Sequence, residues 1–183
     1  MSFGGKGRGS VIGNELLDIL GNYMLFVASA GNSNEGHASY WPACHELVLP
    51  VGAHNISGNR SVWVGGKASN FQPYVLLSAP GTGVWAPDMI GMTVNGLYHK
   101  GYISPSEDEF GECMLFAGTS ASAPVVSGIA ALTLCVNPSL NASALKQRLL
   151  ETRRTPMADP LNWGGGLGVG IVDGYNAVTG SIP

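Results

Sequence analysis

Three short apolar runs mark the first half of the chain: residues 24–30 (MLFVASA), 47–53 (LVLPVGA) and 74–79 (YVLLSA). None alternates with polar residues, so each predicts a strand buried on both faces. Pro50 weakens the middle run as a central strand, because proline cannot donate to a ladder. Each run ends in small residues and a glycine: Ala30-Gly31, Gly52-Ala53 and Ala79-Pro80-Gly81. Between them lie patterns of helical period. Ile12, Leu16, Leu17, Ile19, Leu20 and Tyr23 predict a helix that stops at Gly21-Asn22. Residues 120–135 are apolar on nearly every face and predict a buried helix, with Pro124 tolerated in its first turn and Asn137-Pro138 ending it. Asn141 or Ser143 caps an amphipathic helix through Ala144, Leu145, Leu149 and Leu150, and Asp173 caps a short closing helix over residues 174–178. Strands alternating with helices predict an α/β fold, a mostly parallel sheet flanked by helices, with ligands at the C-terminal strand ends.

Residues 84–116 are irregular. Asn95-Gly96 between Met92-Thr93-Val94 and Leu97-Tyr98 is a hairpin signal. Residues 104–112 (SPSEDEFGE) read as an exposed acidic loop, although Glu107, Asp108, Glu109 and Glu112 could also hold a cation. No repeat or linker divides the chain, so residues 1–183 read as one domain.

Composition narrows the partners. Charged residues make up 11% of the chain and hydrophobic ones 45%, with 27 glycines, which predicts close packing and tight turns and excludes disorder. The net charge of −3 and the lack of a basic cluster give nucleic acid or an anionic membrane no electrostatic hold. No apolar run reads as a membrane span, and residues 1–9 are too polar for a signal peptide. The three cysteines, Cys44, Cys113 and Cys135, are too widely spaced for a zinc site; they read as free thiols or as one disulfide with a thiol left over, with Cys135 in the core.

The chemistry centres on Gly118-Thr119-Ser120-Ala121-Ser122-Ala123-Pro124. A serine stands where a loop enters an apolar helix, beside free N–H groups and the positive end of the helix dipole. Taken alone, the pattern fits a helix cap or a nucleophile. The context resembles the subtilases. Gly118-Thr119-Ser120 with Pro124 and Val126-Ser127-Gly128 is similar to their nucleophile motif, and Phe26-Val27-Ala28-Ser29-Ala30-Gly31-Asn32 to their oxyanion-hole strand. Trp41-Pro42-Ala43 with Val51-Gly52-Ala53, then Ala68-Ser69-Asn70-Phe71 with Leu77-Ser78-Ala79-Pro80-Gly81, follow in the family's order. Gly168-Val169-Gly170-Ile171-Val172-Asp173-Gly174 resembles the closing segment.

The resemblance implies a serine endopeptidase domain, here its C-terminal part, with the first strands of the sheet absent. It implies that Ser120 attacks a peptide carbonyl and that Asn32 donates to the oxyanion. Ser2-Phe3-Gly4 resembles the substrate-binding strand, Ser29-Ala30-Gly31 one wall of the primary pocket, and Tyr40 a residue at the pocket base that shortens it. The implied partners are a polypeptide substrate and the absent N-terminal half. No cofactor is implied for the chemistry, structural calcium is common in the family, and the resemblance suggests secretion. The family's Asp and His are missing. His37, His45, His54 and His99 lack a His-Gly setting, and Asp18, Asp88, Asp108, Asp159 and Asp173 lack an Asp-x-Gly one. Two further readings stay open: a non-catalytic binding protein on the same half-fold, and a fragment inactive alone. An open sheet edge predicts association. Asn55, Asn59 and Asn141 begin N-x-S sequons.

Overall fold

Small and β-branched residues build a three-stranded parallel sheet in the order β2-β4-β5. The computed structural model describes residues 1–36, 40–71, 75–87, 93–94, 97–98, 113–155 and 168–182. β2 (Phe26–Ser29) pairs with β4 (Val48–His54), and β4 with β5 (Leu77–Pro80). The α/β expectation holds, and the corrections are local.

Pro50 lies inside the central strand, opposite Ala28. The β4–β5 ladder begins only at Val51↔Leu77. The Pro50 carbonyl accepts from Leu76 N–H, so the nitrogen of Pro50 faces the side where β5 has not yet begun. The missing donor therefore costs no ladder bond.

Helices cover both faces. Helix α1 (Val11–Leu20) starts earlier than its apolar spacing suggested, because the Ser10 hydroxyl accepts from Gly13 N–H at 3.0 Å. Leu17 packs with Ala28, Ala43 and Val48. On the opposite face Val27, Leu49, Val51, Leu77 and Ala79 meet α2 (Thr119–Val136), α3 (Ala142–Glu151) and α4 (Gly174–Thr179). Asn141, rather than Ser143, caps α3, and Asp173 caps α4.

Helix α2 departs from its fully buried reading. Ala121, Ala123, Val126 and Ala130 are buried, whereas Pro124, Gly128, Leu132, Cys135 and Val136 are exposed. Pro124, Gly128, Leu132 and Val136 recur every fourth position, with Cys135 beside them, on the face turned away from the sheet. Cys135 is thus a surface thiol, not a core residue; it and Cys44 are free. At 18 residues α2 is long and apolar enough for a membrane span, but its buried face is that of a core helix.

β1 (Gly5–Lys6) pairs antiparallel with β3 (Tyr40–Trp41), and β6 (Val84–Pro87) with β9 (Cys113–Phe116). The hairpin forms, β7 (Thr93–Val94) against β8 (Leu97–Tyr98). Its turn residues, the acidic loop, His37 and His99 lie outside the described residues. At the sheet's edges, β5 is bridged by Ile171, and β2 is met by Met1, whose N–H donates to the Val27 carbonyl and whose carbonyl accepts from Ser29 N–H.

The start of α2 is fixed against the end of the sheet. Gly81 N–H donates to the His54 carbonyl, and Gly118 N–H donates to the Gly81 carbonyl at 2.9 Å. The Ser122 hydroxyl donates to the carbonyls of Ala79 and Pro80. A Cβ on Gly81 would lie 2.4 Å from Ala53 Cβ and 2.5 Å from Ser122 Oγ. Gly81→Ala is therefore expected to lower unfolding free energy by about 1–3 kcal/mol, the usual cost of overpacking, read as a lower urea midpoint at unchanged slope.

Candidate active site

Ser120 sits in the first turn of α2, where backbone N–H groups lack intrahelical acceptors. Gly118 precedes that turn at φ 113°, a conformation open to glycine. Asn32 follows β2 at the C-terminal end of the sheet. Its Oδ1 accepts from Thr119 N–H and from the Thr119 hydroxyl, each at 2.9 Å. The same hydroxyl accepts from Gly31 N–H at 3.1 Å. With Oδ1 doubly occupied, the Asn32 amide is oriented and Nδ2 is left to donate. A Cβ on Gly118 would stand 3.1 Å from that nitrogen, so glycine keeps the space beside it open.

A cavity of about 210 Å³ joins Ser2, Phe3 and Gly4 to Ser29, Gly31, Asn32, Tyr40, Thr119 and Ser120. Of the residues singled out in the sequence, Ala30 alone is not on its wall; it is fully buried behind the others. Ser2 and Ser120 hold each other: Ser2 Oγ donates to the Ser120 carbonyl at 2.9 Å, and Ser120 Oγ donates to the Ser2 carbonyl at 3.2 Å. Residues 1–4 are therefore tied to the site. Tyr40 turns inward, with its ring against Gly31 and its hydroxyl 2.5 Å from Ser33 Oγ. Lys6, the cross-strand partner of Tyr40, pairs with Glu35 at 2.5 Å.

One residue at this site was legible only as part of a matched segment. Asn70 is fully buried, and its Oδ1 accepts from the N–H groups of Ser33 and Glu35, each at 3.0 Å. Its Nδ2 donates to the Ala30 carbonyl at 2.9 Å. In sequence, an Asn before an aromatic carries no signal for such a clamp.

Among the described residues no imidazole or carboxylate pairs with Ser120. His45 Nε2 lies 3.4 Å from Asp18, and His45 Nδ1 accepts from Leu47 N–H. His54 ends β4 and is half-buried, with Nδ1 2.9 Å from the Asn55 carbonyl and Nε2 buried without a partner. Asp173 caps α4 and faces Arg154. Among the described residues no three His, Cys, Asp or Glu side chains converge as a metal site.

The Subtilase family model matches residues 1–170. An extracellular basic protease of Dichelobacter nodosus is 33% identical over 180 residues, which is 97% of this chain and 27% of that protein. An extracellular protease of Xanthomonas campestris pv. campestris is 30% identical over 183 residues, all of this chain and 28% of its own length. A solved protease from Pseudoalteromonas arctica superposes with a TM-score of 0.74 at 26% identity, covering 98% of this chain and 50% of the other. The chain thus spans little more than a quarter of these curated relatives.

His54 sets a pH dependence of stability. Burial holds its imidazole below the ordinary value; the bond to the Asn55 carbonyl opposes this and nearby Arg154 adds to it. A lowered folded-state value means that the unfolded chain takes up the proton first. Stability is then full above about pH 6.5 and falls as pH drops through the folded value. Urea midpoints at about pH 8 and pH 5 should differ more for the wild type than for His54→Gln; equal differences would refute this assignment.

Proposed function

From the premise that the chain belongs to the Subtilase family of serine proteases, we propose that it is the nucleophile-bearing part of a peptidase site cleaving polypeptides. The observation that carries this reading is the Asn32–Thr119 contact beside Ser120, at the wall of a cavity that an extended chain can enter. In this reading Ser120 Oγ attacks the scissile carbonyl and forms an acyl-enzyme. Its proton passes to an imidazole that another polypeptide segment supplies with its orienting carboxylate, and then to the leaving amine. Asn32 Nδ2 and Ser120 N–H donate to the oxyanion. The substrate pairs with residues 2–4 by β-augmentation, and Ser29, Ala30, Gly31 and Tyr40 shape the pocket for the residue before the cut. The step needs no cofactor. The names of the relatives support secretion.

A second reading has a specific observation in its favour. Ser120 Oγ donates to a backbone carbonyl rather than to a base. A chain left in that state would bind peptides without cutting them.

The deciding experiment compares the 183-residue chain alone with the chain supplied, in cis or in trans, with a subtilase Asp–His half. The chain alone should show no peptide hydrolysis above background. The completed enzyme should turn over, lose activity in Ser120→Ala, and lose about 10²–10³-fold in kcat in Asn32→Ala. Turnover by the lone chain that vanishes in Ser120→Ala would overturn the need for a second segment. A completed enzyme indifferent to Ser120→Ala would overturn the nucleophile.

Tyr40 should set specificity in the completed enzyme. Its inward ring favours small or medium apolar side chains at the cleavage position over Phe. Tyr40→Gly should raise kcat/KM for Phe relative to Ala by about 10- to 200-fold, the range that pocket shape commands. No relative gain for Phe in matched peptides would remove Tyr40 from the pocket base.

A further inference from the structure

We propose that Asn70 is the positioning residue of the oxyanion loop, holding Asn32 in donating geometry without touching the substrate; this rests on the reading of Ser120 and Asn32 above. The loop from Ala30 to Glu35 has to leave β2, present one side chain to Ser120 and turn back. Asn70 spans it from behind. Its side chain takes Ala30 on one flank of Asn32 and Ser33 and Glu35 on the other, while its own N–H donates to the Gly31 carbonyl at 2.8 Å. Four hydrogen bonds from one fully buried residue thus bracket Asn32. Both acceptor sites of Oδ1 are filled, so the amide cannot flip without losing every side-chain bond. Gly31 permits the approach: at φ 101°, a Cβ there would fall 2.5 Å from Asn70 Nδ2.

The front of the loop is held differently. Lys6–Glu35 and Tyr40–Ser33 lie at the surface, and exposed pairs of this kind hold loops weakly. Buried, satisfied amides hold them firmly, because release strands several polar groups away from water. Asn70 therefore controls the geometry of Asn32 from behind, while Thr119 controls it from the side of the nucleophile.

The inference has a test that does not need turnover. In the ¹⁵N-labelled chain, the side-chain amide pair of Asn32 is identified by its loss in Asn32→Ala. That pair should shift and broaden in Asn70→Ser, and shift less in Asn70→Asp, which keeps both acceptor bonds and serves if the serine variant fails to fold. An unchanged pair in either folded variant overturns the inference. In the completed enzyme, Asn70→Ser should lower kcat by about 10- to 100-fold, the scale of a misplaced catalytic group, with KM changed by less than about 2-fold. Adding Asn32→Ala to Asn70→Ser should cost no more than Asn32→Ala alone within about 2-fold; additive losses would show that Asn70 acts elsewhere. If Asn32→Ala leaves kcat unchanged, the oxyanion reading falls, and the amide resonance still decides whether Asn70 clamps the loop.

Discussion

The two bonds from Thr119 to Asn32 Oδ1 are the constraint on which the site depends. They join residues 87 positions apart and tie the end of β2 to the first turn of α2. An N–H group that a helix start leaves unpaired is satisfied by a side chain from the sheet, so capping the helix and orienting the amide are one event. The Thr119 hydroxyl adds a second direction by accepting from Gly31 N–H and donating to Asn32. A valine of similar shape would leave Gly31 N–H without its acceptor and Asn32 Oδ1 with the backbone bond alone, so the amide would be held from one direction instead of two.

Small residues make that junction possible. Gly31, Gly81 and Gly118 occupy positions where a Cβ would meet Asn70, Ser122 or the Asn32 amide. Ala53, Ala79, Ala121 and Ala123 let α2 lie close on the sheet. Close approach shortens the reach from strand end to helix start to that of a single Asn side chain.

The parts of the fold that follow from periodicity could be read in the sequence. The strand runs and the caps at Asn141 and Asp173 come from residues whose local pattern decides their place, whereas the convergence of Asn32 with Ser120 is implied by the resemblance to the subtilases and not by any local pattern. What escaped reading depends on neighbours distant in sequence. Pro50 sits in a central strand because β5 starts one position later, a fact of register. Helix α2 is apolar all round, yet one face is uncovered, because composition reports the capacity for burial and not its partner. Asn70 looks like a loop residue, and its value lies in three backbone groups that the fold brings to it.

The uncovered surfaces and the incomplete chemistry meet at one place. Helix α1 exposes Ile12, Leu16 and Ile19, Tyr23 is exposed just beyond its end, and helix α2 exposes Gly128, Leu132 and Val136. Both helices pack on β2, whose outer edge is met by Met1. In the proposed assembly, a segment laid against these helix faces buries apolar surface at about 25 cal/mol per Å². Met1 adjoins Ser2, and Ser2 carries the carbonyl on which the Ser120 hydroxyl rests. In the proposed reading, a base that takes the Ser120 proton has to draw the hydroxyl off that carbonyl, so a segment that covers the apolar faces contributes to catalysis only if it also presents an imidazole at the Ser2 side of the cavity.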